Sequence, residues 1–354
     1  MPTTQLLVCP ETLGPLEPHD DGWWSPRAHR LYPVHEGLVF MGYPESDAAM
    51  IAETMQEERE WQGTAASVDR DREFLTASAP LAVDLINLAT RLLAPSGSAK
   101  ALELGSGSGW VSWLLAEAGY DTWLCDFEAN SLAIGQIYDH ARMHDRVVTD
   151  ARYCPFPDAT FDLVLMKEFV HHVEDFETLF REAQRVLRPG GLMVVMEPIR
   201  SVSTTLYELR HPDPHEGHHI TWIDRYRRAI KRAGMNLRYE TAAYDDFIYP
   251  PPRTTIIRRA RRRAERETRG MARLAPFAQL QLRLFGGASI VLIGEKAHST
   301  RALPRPQMRL IDPATLQVTP GERAAFSDFP DVLQRAAERL TPIAGAVTAP
   351  QSSA

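Results

Sequence analysis

The chain of 354 residues is poor in cysteine and lacks any long apolar run. Its three cysteines, Cys9, Cys125 and Cys154, lie far apart and form no Cys-x-x-Cys pair, which excludes a disulfide framework and an intact zinc knuckle. No run of about 18 apolar residues occurs, and the first residues lack a basic region followed by an apolar stretch. We therefore expect a cytoplasmic protein with no membrane partner.

The chain also lacks an overall positive charge. Its formal net charge is −7, so no global field attracts it to nucleic acid, and a nucleic acid partner is not expected. Hydrophobic residues make up 44% and charged residues 24% of the chain, which are the proportions of a globular protein rather than a disordered one. Any basic binding surface must therefore be local.

Four segments of the chain differ in pattern. Short extended pieces separated by glycine and proline come first, helical spacing follows, and short apolar runs then alternate with amphipathic ones. The third pattern is typical of an α/β fold with a mostly parallel sheet. The predicted segments are a β-rich lobe at 1–44, a helical cap and linker at 45–98, a strand and helix core at 99–297 with insertions at 199–221 and 245–285, and a partly disordered, proline-rich extension at 298–354.

Within these segments, the patterns predict individual strands and helices. The predicted strands cover residues 99–104, 121–126, 146–149, 161–166, 192–197, 236–242 and 288–294. The predicted helices cover residues 48–62, 74–93, 177–187, 222–233 and 322–340, with Pro80 marking a helix start or a kink.

The most specific local feature is an apolar strand that runs directly into three alternate glycines, Gly105, Gly107 and Gly109. Glycines let the backbone turn sharply and let a ligand approach closely, beside the free N–H groups of the next helix. A dinucleotide-binding turn would need glycine at Trp110, and a P-loop would need a lysine after the turn. With Glu103 before the first glycine, the pattern favours a turn around a positively charged amino-acid end. An ordinary glycine-rich turn is the alternative.

Two acids follow the next two predicted strands. Asp126 ends the second strand, where a carboxylate can accept hydrogen bonds from both hydroxyls of a ribose. The alternative for Asp126 is the N-cap of a helix. Asp150 follows the third strand, where it can accept from the exocyclic amine of a purine, and its alternative is an ordinary loop aspartate.

In this order and spacing, the motifs resemble a class I S-adenosylmethionine-dependent methyltransferase over about residues 70–296. The resemblance rests on the glycine turn, on Asp126-Phe127-x-x-Asn130-Ser131-Leu132, on Asp150-Ala151 with Pro155-Phe156-x-Asp158-x-Thr160-Phe161-Asp162, on His171-His172-Val173-x-Asp175, and on Arg185-Val186-Leu187-Arg188-Pro189-Gly190-Gly191. It implies a Rossmann-like, seven-stranded sheet with an antiparallel last strand. It also implies S-adenosyl-L-methionine as cofactor and S-adenosyl-L-homocysteine as product.

The same resemblance implies the residues that bind the cofactor. The glycine turn would hold the methionine end, Asp126 the ribose, Phe127 the adenine ring and Asp150 its amine. The full implied set is Glu103, Gly105, Ser106, Gly107, Gly109, Asp126, Phe127, Asp150, Ala151 and Lys167.

The N-terminal segment is similar to the small zinc-ribbon-like domain of bacterial methyltransferase-activator proteins. The similarity rests on Leu7-Val8-Cys9-Pro10-x-x-x-Gly14-x-Leu16 and on Leu31-Tyr32-Pro33-Val34-x-x-Gly37-Leu38-Val39. The position of the second cysteine is Thr12, and zinc needs about four ligands. We therefore expect a degenerate ribbon without metal that serves as a packing and substrate-shaping lobe.

Two groups of histidines are candidates for the base that takes a proton from a methyl acceptor. His171 and His172 follow the fourth strand, and a structural role is their alternative. His218 and His219 end a histidine-rich segment at residues 211–219. That segment is interpreted as a lid with a catalytic histidine, as a divalent metal site, or as a solvated loop.

An arginine-rich segment at residues 253–273 also has alternative interpretations. It is a solvated helical face, or a clamp for an anionic substrate such as a phosphate, a carboxylate or an acyl carrier protein. RNA binding is disfavoured because no aromatic residues alternate with the arginines.

Together these observations predict O-methylation of a small molecule in bacterial secondary metabolism or in envelope sugar or lipid biosynthesis. The alternatives are a C- or N-methyltransferase acting on an anionic substrate, and a non-catalytic binding or RNA-associated protein that keeps the fold. The oligomeric state is open, with a homodimer as one option.

Overall fold

The computed structural model of the chain describes residues 6–47, 65–210, 219–244, 254–268, 271–299, 301, 303–318 and 329–345. The predicted helix at 48–62, His218 with most of its histidine-rich segment, and most of the C-terminal tail lie outside the described residues.

Thirteen strands occur in the described segments. They are β1 (Glu17–His19), β2 (Gly22–Ser25), β3 (Arg30–His35), β4 (Leu38–Phe40), β5 (Tyr43–Pro44), β6 (Ala99–Leu104), β7 (Tyr120–Asp126), β8 (Met143–Val148), β9 (Phe161–Lys167), β10 (Leu187–Pro198), β11 (Met235–Ala243), β12 (Ser289–Lys296) and β13 (Met308–Arg309). All seven predicted core strands are present, and the central ones, such as β9, are short apolar runs that the sheet buries.

Nine α-helices occur in the same segments. They are α1 (Ala65–Leu93), α2 (Trp110–Glu117), α3 (Ala129–Ile134), α4 (Phe176–Val186), α5 (Val202–Arg210), α6 (Ile223–Arg232), α7 (Thr255–Thr268), α8 (Pro276–Phe285) and α9 (Phe329–Ala337). Of the helices in the described part of the chain, none combines the length and the apolar character needed to cross a lipid bilayer.

Eleven strands form one sheet in the order β1-β2-β3-β4-β8-β7-β6-β9-β10-β12-β11. The strands from β8 to β10 in this order are parallel, and β12 runs antiparallel to both β10 and β11. The α/β fold and the antiparallel last strand of its seven-stranded core are therefore confirmed. The N-terminal strands extend this sheet, since β4 pairs in parallel with β8 through Val39 and Val147.

Both faces of the central sheet are buried. Along β9, Leu163 and Leu165 pack into a cluster with α1, α2 and α9, whereas Val164 and Met166 pack into a second cluster with α4 and α6. This alternation between two apolar layers is the reason that the core strands are nearly continuous apolar runs in the sequence.

Pro80 lies inside α1, so the predicted helix start at this residue is wrong. Its neighbours Ala79, Ala82 and Val83 are fully buried against the sheet. Packing of these residues stabilises the helix through the position where proline lacks an N–H donor.

The N-terminal strands also contact the edge at which the core strands end. The carbonyl of Gly42 accepts hydrogen bonds from the N–H of Asp150 at 3.0 Å and from the hydroxyl of Thr149 at 3.2 Å. The segment after β4 is therefore fixed beside the loop that follows β8.

Cys9 is buried in the N-terminal lobe, where its Sγ lies 3.2 Å from the hydroxyl of Tyr32. Burial raises the pKa of the Cys9 thiol, but hydrogen bonds with Ser25, Thr12 and Tyr32 outweigh it, so that the pKa is lowered overall. Within the described residues, no group of three or more His, Cys, Asp or Glu side chains could hold a metal ion.

Candidate active site

The glycine turn lies between β6 and α2. At Gly105, which has a φ of +68°, an added Cβ would lie 1.9 Å from the ring of Phe169, so only glycine allows this contact. At Gly107, with a φ of +52°, an added Cβ would meet nothing within 4 Å. The turn thus packs tightly against Phe169 on one side and leaves open space beside Gly107.

Asp126, at the end of β7, holds the turn in place. One carboxylate oxygen accepts a hydrogen bond from the N–H of Gly107 at 2.7 Å, and the other accepts a hydrogen bond from the N–H of Glu128 at 2.9 Å. Burial raises the pKa of Asp126 to about 6, although these two hydrogen bonds oppose the shift. The N-cap of α3 is Glu128, whose side chain accepts from the backbone, so the N-cap alternative for Asp126 is wrong.

A cavity of about 160 Å³ opens beside the turn. It is lined by Glu103 and Gly105–Ser108, by Trp110 and Val111 of α2, by Phe74 of α1, and by Lys167 and Glu168 at the end of β9. Because β6 and β9 are parallel neighbours, their carboxyl ends bring these residues to one edge of the sheet.

Lys167 and Glu168 form an ion pair in this cavity, with 2.6 Å between Nζ and Oε2. The Lys167 ammonium also lies 5.1 Å from the ring centre of Phe74 and 5.4 Å from that of Trp110. Glu168 adopts a φ of +53°, which is strained for a residue with a side chain. Such strain is most often kept where a side chain must point in a particular direction.

Two buried oxygen atoms in the cavity wall have no hydrogen-bond partner among the described residues. They are Oε1 of Glu168 and the hydroxyl of Ser106. A buried polar atom without a partner is costly, so these two atoms indicate a polar ligand.

Glu103 is buried at the end of β6 and accepts a hydrogen bond from Ser112 of α2 at 2.5 Å. Burial raises the pKa of Glu103 to about 8, against the opposing effect of the hydrogen bond from Ser112. At neutral pH the side chain is therefore mostly neutral, and it is a poor counter-ion for a cationic ligand.

The loop after β8 carries Asp150 and Ala151. Asp150 accepts from the guanidinium of Arg152, whose Nη2 lies 2.6 Å from Oδ2, and Arg152 also pairs with Asp47. Each carboxylate oxygen of Asp150 already accepts two hydrogen bonds from the backbone N–H and the guanidinium of Arg152, so Asp150 would bind a ligand only by giving up one of these bonds. Ala151 is buried, and Phe127 is half-buried directly after Asp126.

His171 is held by a buried carboxylate at the same edge of the sheet. Its Nδ1 lies 2.7 Å from Oε2 of Glu197, which ends β10 and is fully buried. The same carboxylate accepts from the N–H groups of Phe169 at 2.7 Å, Val170 at 2.6 Å and His171 at 3.3 Å. Because a carboxylate surrounded by N–H donors acts as the acceptor, this arrangement places the ring proton of His171 on Nδ1.

Two of the other candidate histidines, His172 and His219, lie beside His171. His172 is exposed, and its ring centre lies 4.2 Å from that of His171. His219 donates its N–H to the carbonyl of His171 at 2.6 Å. His218 lies outside the described residues.

Sequence reasoning missed Glu197, Glu168, Phe74 and Trp110. Glu197 could have been predicted from the sequence, because, like Asp126, it is an acidic residue at the end of an apolar strand. The strained backbone and the unpartnered oxygen of Glu168 have no sequence signature.

Part of the strand and helix core is similar to proteins of known function. Residues 102–195 match the family model described as a methyltransferase domain. Demethylmenaquinone methyltransferase of Mycobacterium marinum is 36% identical over 112 residues, which are 31% of this chain and 47% of that protein. Ubiquinone/menaquinone biosynthesis C-methyltransferase of Cereibacter sphaeroides is 36% identical over 111 residues, which are 30% of this chain and 44% of that protein. The chain therefore spans less than half the length of these curated relatives.

Among solved structures, phosphoethanolamine N-methyltransferase 2 of Haemonchus contortus in complex with S-adenosyl-L-methionine is similar at 18% identity. The likeness covers 64% of this chain and 57% of that chain, with a TM-score of 0.39.

Residues 102–195 thus match a methyltransferase domain. The fold class and enzyme class expected from the sequence are confirmed for this domain. The comparisons do not extend to the zinc-ribbon-like lobe, which stays a prediction.

The raised pKa of Glu103 predicts that replacing this residue changes how stability depends on pH. A native-state pKa above the ordinary value means that stability is greatest at low pH and falls as pH rises towards 8, by at most about 1.4 kcal/mol per pH unit. In Glu103→Gln this loss is absent, so the variant gains free energy of unfolding relative to wild type as pH rises. Urea unfolding between about pH 5 and pH 8 measures the difference.

Glu174→Gln is the matched control, because Glu174 is exposed. Its difference from wild type stays flat over the same pH range. A flat difference for Glu103→Gln as well would show that Glu103 is ionised in the native protein.

Proposed function

We propose that the chain transfers a methyl group from S-adenosyl-L-methionine to a hydroxyl oxygen of a small-molecule acceptor. The observation that supports this most is the cavity between the glycine turn and Glu168, with two unpartnered buried oxygens in its wall, and the Glu197-held His171 three residues after Glu168 on the same segment. S-adenosyl-L-methionine fits this combination, because its charged amino-acid end suits the polar wall of the cavity. Its methyl group would be transferred to an acceptor whose proton the histidine takes.

The residues present fit the cofactor. The open space beside Gly107 lets a ligand approach the backbone, and Asp126 carries a carboxylate that can accept from ribose hydroxyls. Phe127 and Asp150 would contact the adenine ring and its amine, as the family resemblance implies. When bound, S-adenosyl-L-methionine supplies an electrophilic methyl group on a positively charged sulfur.

Lys167 and Glu168 suit the two charges of an amino-acid end. Glu168 has a free buried oxygen for an ammonium group, and the Lys167 ammonium can pair with a carboxylate. Glu103 is neutral because of its raised pKa, so Glu168 is the better counter-ion for the ammonium group. The hydroxyl of Ser106 would add a further hydrogen bond.

His171 would act as the general base. Glu197 fixes the ring orientation and the tautomer, so Nε2 rather than Nδ1 would take the proton of an acceptor hydroxyl as the methyl group is transferred. The buried carboxylate also stabilises the imidazolium that this proton creates.

A second candidate reaction is methyl transfer to carbon. The names of the two relatives support it, since one is a demethylmenaquinone methyltransferase and the other a C-methyltransferase of quinone biosynthesis. Removal of a hydroxyl proton by the same base would make an aromatic ring more nucleophilic at carbon. The acceptor of this second reaction would be a hydroxylated aromatic compound.

The assignment of Glu168 predicts a loss of affinity that depends on the amino-acid end of the ligand. Glu168→Gln binds S-adenosylhomocysteine at least about tenfold more weakly, because one charge-assisted hydrogen bond is lost. Its affinity for 5′-methylthioadenosine, which lacks the amino-acid end, stays that of wild type. Isothermal titration calorimetry with the two ligands measures the contrast.

Glu174→Gln, at an exposed position, is the control and binds both ligands as wild type does. Equal loss of affinity for both ligands in Glu168→Gln would show a general distortion of the cavity. Unchanged affinity for both would remove Glu168 from the cofactor site.

The assignment of His171 predicts a loss of turnover without a loss of cofactor. His171→Gln lowers kcat by about 100-fold to 10,000-fold while its affinity for S-adenosylhomocysteine is unchanged. The assay transfers labelled methyl from S-adenosylmethionine to a panel of phenols and quinols, and NMR distinguishes a methyl ether from a ring methyl. A methyl ether is the expected product.

His35→Gln is the control, because His35 is exposed on β3 and far along the sheet from β10. Wild-type turnover in His171→Gln would contradict the role of His171. A ring methyl as sole product would overturn transfer to oxygen and favour the second reaction.

A further inference from the structure

The arginine-rich segment forms α7, and its arginines point mainly to one side. Ala264 and Thr268 face inward and are buried, together with Arg261, whose guanidinium lies 5.5 Å from the ring centre of Tyr244. Four of the exposed arginines, Arg259, Arg262, Arg263 and Arg266, fall within an arc of about 100° at 3.6 residues per turn. We call these four residues the arginine crest.

The crest carries excess positive charge. Its arginines surround an open hollow of about 500 Å³ together with Glu265. Arg263 is paired with Glu267 at 2.8 Å, whereas the structure records no ion pair for Arg259, Arg262 or Arg266 with any described residue. Like charges this close repel each other, so an anionic partner would stabilise the crest.

Exposed aliphatic side chains flank the crest. Ile256, which is 77% exposed, lies three residues before Arg259 and seven before Arg263 on the same side of α7. The neighbouring helix α8 exposes Leu280 and Leu284, one turn apart. The guanidinium of Arg263 stacks on Phe277 of α8, with 4.1 Å to the ring centre, so that the basic and apolar surfaces adjoin.

The apolar surface continues onto α5. Val202, Leu206 and Leu209 are exposed and follow each other at spacings of four and three, so they form one stripe of this helix. The hydroxyl of Ser203 donates to the carbonyl of Phe285 at 2.9 Å, which joins α5 to the end of α8. Exposed apolar side chains grouped on neighbouring helices in this way are typical of an interaction site.

We propose that the surface formed by α5, α7 and α8 docks on a lipid bilayer that contains anionic phospholipids. Guanidinium groups pair with lipid phosphates, and the flanking aliphatic side chains enter the boundary between head groups and acyl chains. The full chain has a net charge of −7, so the rest of the protein is repelled by an anionic bilayer and the crest is turned towards it.

A bilayer explains both parts of the surface. Single-stranded nucleic acid favours arginines interleaved with aromatic side chains, and α7 contains no aromatic residue. An acidic protein would pair with the arginines alone and gives no role to the exposed leucines and isoleucine. Because the expectation of no membrane partner rested on the lack of a spanning segment, it did not test for docking at the surface.

The test is sedimentation of the full-length protein with sucrose-loaded vesicles. Vesicles of phosphatidylcholine mixed with phosphatidylglycerol bind the protein, and vesicles of pure phosphatidylcholine bind it far more weakly. The triple variant Arg259→Glu, Arg262→Glu, Arg266→Glu lowers binding to the anionic vesicles by at least about 100-fold. Leu280→Ser with Leu284→Ser also weakens binding, by about tenfold.

The matched control reverses three other exposed arginines, Arg91, Arg335 and Arg339, which lie on α1 and at the C-terminal end of the chain near α9. This control binds the vesicles as wild type does, and circular dichroism with thermal unfolding checks that each variant is folded. No binding by wild type, or equal losses in the control, would overturn the proposal. Loss in the arginine variant with none in the leucine variant would also overturn it, because the exposed aliphatic side chains would then take no part in vesicle binding.

Discussion

The buried carboxylate of Glu197 is the interaction on which the candidate active site depends. It accepts hydrogen bonds from three consecutive backbone N–H groups and from the ring of His171, so it fixes the segment that follows β9. A fully buried carboxylate is tolerated at this position because all of these hydrogen-bond donors surround it. Loss of this carboxylate would free the backbone, the aromatic ring and the candidate base at once.

The same segment couples the base to the cofactor cavity. Phe169, whose N–H is held by Glu197, places its ring against Gly105, where no side chain could fit. Glu168, one residue earlier, adopts a strained backbone conformation and turns an unpartnered oxygen into the cavity wall. The position of the glycine turn, the direction of Glu168 and the tautomer of His171 therefore follow from one set of hydrogen bonds.

Local patterns in the sequence predicted the strands, the glycine turn and the acid at Asp126, because each reflects burial or a turn within a few residues. The pairing of β4 with β8 joins residues far apart in the chain, and no local pattern reports it. Polar contacts were also beyond the sequence. The ion pair of Asp150 with Arg152, the neutral state of Glu103 and the N-cap at Glu128 each depend on which side chains the fold brings together. Glu197 is the exception, since its position at a strand end was visible.

The central claim is that the cavity beside Gly107 binds S-adenosylmethionine in the intact chain. Calorimetric titration of the unmodified, full-length protein with S-adenosylhomocysteine tests it most directly, because the product binds the same groups and requires no knowledge of the acceptor. We expect one site per chain with a dissociation constant on the order of micromolar, about −8 kcal/mol. A titration that shows no binding at any accessible concentration would contradict both the cofactor site and the methyl transfer built on it.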